Sequence, residues 1–131
     1  MDISKTYKTR IIVTNNEEVR GFYNEDKKGY AHLYDLVFIE SLDDLFVFVR
    51  DMIHKGWHLV NNPMAGNIAL HKHPFRSVAM EKGIGCDEMS LLLWDEASER
   101  RKRGTLPQYT PQVRADFAHI DAMLFTENLP F

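Results

Sequence analysis

The chain has a single cysteine, Cys86, in 131 residues, so no disulfide can form within it and a cysteine-rich zinc knuckle is excluded. Cys86 itself is expected to be an ordinary semi-buried thiol rather than a nucleophile. No apolar run approaches the roughly 18 residues of a membrane span, and the opening MDISKTYKTR lacks the apolar stretch of a secretory leader. The expectation is a soluble cytoplasmic protein with no membrane partner. Charge of one sign is also lacking. Sixteen basic and 19 acidic residues give a net charge of -3, which provides no overall attraction to nucleic acid. The glycine-rich dinucleotide fingerprint GxGxxG, the phosphate loop GxxxxGK[ST], the HExxH helix and the CxxC pair are all missing, so no cofactor is expected.

What is present fits one globular unit. The 44% hydrophobic content supplies a core, and the length is that of a single domain, residues 1–131. RIIVT, Arg10 to Thr14, is short and β-branched, as a buried strand requires, and NNEEVRGFY then begins with a capping asparagine and two acids. LYDLVFIE, Leu33 to Glu40, reads as a second strand. Ser41 caps a helix with Asp43 and Asp44 in its first turn, Lys55 in its last and Gly56 as its left-handed stop. WHLVNN, Trp57 to Asn62, is a third strand, and Phe75 to Met80 a fourth. Two more helices follow, one capped by Asp87 and one by Thr110 with Pro111 at its first position. Strand and helix alternate through short links, which implies a three-layer Rossmann-like α/β domain with a mainly parallel sheet.

In such a sheet, ligands bind beyond the carboxyl ends of the strands, where helix N-termini offer free N–H groups. Three polar loops fall there: Thr14 to Asn16, Glu40 to Ser41, and Asn61 to Asn67. Asparagine, proline and glycine also make ordinary turns. The convergence of three loops on one rim is what raises Asn15, Asn16, Ser41, Asn62, Gly66 and Asn67 to candidate ligand-binding residues. In HPFRS, Arg76 and Ser77 could contact an anionic group, since the planar guanidinium binds carboxylates and phosphates at two points.

Other motifs have plainer readings. Asp51 and His54 lie one helical turn apart, but at the end of a helix that leads into a strand, on the rim away from the expected pocket. There His54 and Lys55 complement the helix dipole, and Asp51 and Arg50 are expected in local ion pairs or at an interface. His71 and His73 have H-x-H spacing but no fixed third ligand, so no metal is expected. ERRKR, Glu99 to Arg103, suits a helix C-terminus. RNA binding would need aromatic platforms or a wider basic face, and no nucleic-acid partner is expected. Met89, Leu92, Leu93 and Trp94 suit core packing or a subunit contact.

The run LFVFVRDMIHKGWHLVNNPMAGNIALHKHPFRSVAM, Leu45 to Met80, together with IIVTNNEEV near the start, resembles the GrdX family. These are small proteins encoded beside the selenium-dependent glycine, sarcosine and betaine reductase systems. VRDMIHKG, NPMAG and HPFRS carry the likeness in that order, over the span from Arg10 to Trp94. The resemblance implies a neighbourhood in amino-acid reductase metabolism and a fold; the family has no established activity from which a mechanism could follow. The leading expectation is therefore an accessory protein that binds a small polar or anionic ligand, or a protein of the reductase system. The alternatives are a small enzyme using Asn15, Ser41, Asn62 and Arg76 at the same rim, and an oligomerising scaffold, a homo-oligomer with no ligand site.

Overall fold

Ile11, Ile12 and Val13 have no solvent exposure at all, and their alternation builds a domain of three layers. In a computed structural model, which describes residues 7–26, 29–64, 66 and 68–129, they form the middle of β1 (Arg10–Thr14). Ile11 and Val13 face one core with Val78, Met80 and the apolar face of a long helix. Ile12 faces the other with Ala79, Ala122 and Phe125. Successive side chains of a strand point to opposite faces, so three adjacent apolar residues require cover on both sides.

The order along the chain is β1, α1 (Glu17–Glu25), α2 (Tyr30–Leu33), β2 (Asp35–Phe38), α3 (Leu42–His54), β3 (Trp57–Leu59), a 3-10 turn (Leu70–Lys72), β4 (Ser77–Lys82), α4 (Glu88–Arg101) and α5 (Pro111–Asn128). The capping residues act as their chemistry demands. Asn16 accepts from Glu18 N, Ser41 from Asp44 N, Asp87 from Ser90 N and Thr110 from Val113 N. Gly56, at φ 105°, turns α3 into β3; a Cβ there would meet the backbone of Gly83 and Gly85 at 3.3 Å. Cys86 is exposed rather than semi-buried. Arg50 and Asp51 form no ion pair with another described residue, so the first of the two roles expected for them is not seen.

The sheet is mixed, not mainly parallel, and this corrects the Rossmann-like expectation. Its order is β2-β1-β4-β3, with β1 and β2 parallel and β4 antiparallel to both β1 and β3. β4 is inserted between the first and third strands. Among the described residues of 60–76 there is no α-helix to carry a crossover, and the chain returns along the sheet in the reverse direction and forms an antiparallel ladder, which needs no crossover helix. β1 and β3 still point the same way, because two antiparallel pairings separate them. The carboxyl ends of β1, β2 and β3 and the amino end of β4 therefore share one edge.

On the α3/α4 side, Trp94 is fully buried, stacks on Phe46 with ring centroids 4.6 Å apart, and donates its indole N–H to Phe46 O at 3.0 Å. Trp94→Ala would remove the ring and leave a cavity, costing about 3–5 kcal/mol. Urea denaturation followed by circular dichroism should show that loss with native secondary structure retained in dilute buffer.

Candidate functional site

The shared edge is closed by α5, which the chain lays across the ends of β1 and β4. Tyr109, just before the helix, donates to Lys72 O at 2.8 Å and packs on Phe117, which in turn packs on His73. Arg114 lies over the Phe75 ring at 5.0 Å. These contacts clamp the segment 72–76 beneath the first half of α5 and bring Asp121 over the start of β4.

Asp121 is 6% exposed. Its Oδ2 accepts from Ser77 Oγ at 2.8 Å and from Asn16 Nδ2 at 2.9 Å. Since Ser77 spends its proton on the carboxylate, Thr14 must donate in the 2.7 Å contact between Thr14 Oγ1 and Ser77 Oγ, while Thr14 Oγ1 accepts from Asn16 N. Two donors thus meet at one oxygen, with Thr14 fixing one of them from behind. Oδ1 has no hydrogen-bond partner among the described residues. Among those residues, the sole fully enclosed side-chain polar atom without a partner is His58 Nε2, so Asp121 Oδ1 opens to space. That space is a cleft of about 220 Å³ lined by Val60, Asn61, Asn62, His73, Ser77, Asp121, Leu124, Phe125 and Asn128.

The ionisation of the site is held away from its solution values. Burial raises the Asp121 carboxyl above the usual range, opposed by the bonds from Asn16 and Ser77 and by the charge of Arg76. Burial, with the Arg76 charge second, lowers His73 to about 4. His73 is therefore neutral near pH 7. Its Nδ1 accepts from Phe75 N at 3.2 Å, so the ring proton sits on Nε2, a donor with no described partner and, by the same reasoning as for Asp121, one that reaches open space.

The residues expected from the sequence are distributed unevenly over this edge. Asn62 and Ser77 line the cleft. Asn62 Oδ1 accepts from Met64 N at 2.9 Å, an Asx turn that leaves the amide N–H groups without a described partner. Asn15 and Asn16 are buried and spent internally. Asn15 exchanges bonds with Pro74 O and Arg76 N, and Asn16 caps α1 and holds Asp121 and Ala118 O. Ser41 lies at a second cavity of about 470 Å³ with Asp43, His71, His73, Arg101 and Lys102, and Gly66 at a third of about 290 Å³ with Arg100 and Arg103. Arg76 is 7% exposed and donates Nη1 to Pro63 O at 2.8 Å. Asn67 lies outside the described residues. Asp121, His73 and Asn128 were not among the residues chosen from the sequence. Asp121 sits in a helix with polar residues on every side, and only its burial marks it out.

A model of the family described as GrdX-like protein matches residues 11–130. The chain belongs to the GrdX-like family. The match runs well past Trp94, where the resemblance read from the motifs ended, and takes in α5 and Asp121. No curated protein and no solved structure matches this GrdX-like chain significantly.

The perturbed histidine gives a direct check. A neutral buried imidazole binds fewer protons than the same group unfolded, so stability is lost as pH falls from 6.5 toward 4 and is level below that. The wild type should lose about 2–3 kcal/mol relative to His73→Gln across that window, measured by urea denaturation at stepped pH, and the His73 ring resonances should titrate near 4.

Proposed function

We propose that this GrdX-like protein is a cytoplasmic accessory protein of amino-acid reductase metabolism, the glycine, betaine and sarcosine systems, and that it binds a small polar ligand in the cleft between β3, β4 and α5. The observation that carries this reading is Asp121, a buried carboxylate with one oxygen fully satisfied and the other turned to open space. Holding such a group out of water costs free energy that folding alone does not recover, and perturbed ionisable groups in clefts mark binding and catalytic sites. Family membership supports the metabolic setting. Among the described residues, no helix is long and apolar enough to cross a membrane.

A scaffold reading draws support from a different surface. Val47 on α3 and Met89 and Leu92 on α4 are 59–63% exposed on helices that pack side by side, and exposed apolar side chains of this kind can join copies of a chain. The two readings separate cleanly in one experiment. A thermal-shift screen of small amines, amino acids and organic anions should find a compound that stabilises the wild type, by roughly 2.7 kcal/mol at a hundred times its dissociation constant. Asp121→Asn should abolish that shift and Val47→Ser should keep it. If no compound shifts the wild type and Val47→Ser dissociates an oligomer in light scattering, the scaffold reading replaces this one.

A further inference from the structure

Resting on the ligand-binding reading, the donors and acceptors left over in the cleft assign its occupant to a chemical class. On the α5 side two acceptors are uncommitted: Asp121 Oδ1, and Asn128 Oδ1, whose amide nitrogen donates to Leu124 O. From the segments outside α5 two donors are uncommitted: His73 Nε2–H, and the Asn62 amide N–H groups, whose oxygen is held by Met64 N. All four residues line the same cleft, between the apolar surfaces of Val60, Leu124 and Phe125. We propose that the cleft binds a small zwitterion, its N–H-bearing ammonium on Asp121 and Asn128 and its carboxylate on His73 and Asn62.

Charge balance selects the zwitterion over a simple amine or acid. Arg76 and Asp121 are both buried and each feels the charge of the other, so the empty site is close to neutral when both are ionised. A bare amine would place a net positive charge beside Arg76, and a bare carboxylate a net negative charge beside Asp121. Against the buried Asp121 and Arg76 either imbalance is costly, whereas a ligand of zero net charge places each end against its complement. The ammonium must carry hydrogens, because Oδ1 of Asp121 and of Asn128 are hydrogen-bond acceptors. A cleft of about 220 Å³ suits a molecule of amino-acid size.

The test is isothermal titration calorimetry of the full chain with glycine, methylamine, acetate and N,N,N-trimethylglycine. Glycine is expected to bind, with methylamine, acetate and the trimethylated compound each at least tenfold weaker. Asp121→Asn, shown to be folded by circular dichroism, should lose glycine binding. His73→Phe should cut glycine affinity while leaving the residual methylamine affinity unchanged, a split that a merely structural role for His73 would not produce. Equal binding of acetate or methylamine, or glycine binding that survives Asp121→Asn, overturns the proposal. If none of the four binds but another compound shifts the wild type in an Asp121-dependent way, the zwitterion assignment falls and the ligand-binding reading stands. If nothing binds at all, both fall.

Discussion

Asp121 Oδ2 is the point on which the shared edge of the sheet depends. A carboxylate brought into a protein interior must recover the hydration it loses, and here Oδ2 alone does so within the fold, from donors on two other elements: Asn16 at the N-terminus of α1, and Ser77 at the start of β4, itself fixed by Thr14 at the end of β1. The bonds reach across 44 and 105 residues of chain. They tie the last helix to the sheet edge and so set the roof of the cleft. Asn16 serves three purposes at once, capping α1, donating to Ala118 O and donating to Asp121. Its replacement would loosen both helices together.

The second constraint is the direction of β4. An antiparallel strand in the centre of the sheet brings its amino end, Ser77, to the same edge as the carboxyl ends of the other three. A parallel strand would have put Lys82 there. The reversal therefore supplies a hydroxyl beside Thr14, and it also delivers the preceding segment with His73 and Arg76 to the edge. Asn15 locks that segment by accepting from Arg76 N and donating to Pro74 O.

Much of the local structure was legible in the sequence. RIIVT, the caps Asn16, Ser41, Asp87 and Thr110, and the stop at Gly56 all appear where residue chemistry puts them, because each depends on neighbours within a few positions. Strand order depends on no such neighbourhood. Phe75 to Met80 reads as a strand, but nothing in HPFRSVAM states that it runs between β1 and β3 and against them. The same distinction governs the site. The polar loops after the strands were recognisable, and Asn62 and Ser77 line the cleft. Asp121 was not recognisable, since ADFAHIDAML has no clean polar face and an acid within it resembles any exposed helix residue. Only the fold, by setting that turn of α5 against Asn16 and Ser77, makes it a buried group.

The central claim is that the ligand sits on Asp121 in the cleft and not in the basic cavities beside it, which contain Arg101, Lys102 and Arg103. Amide chemical-shift mapping of the ¹⁵N-labelled chain during a glycine titration locates binding directly. The account predicts saturable changes confined to Asn61, Asn62, His73, Ser77 and the end of α5 from Asp121 to Asn128. Changes centred instead on Ser41, His71 and Arg101 would contradict it.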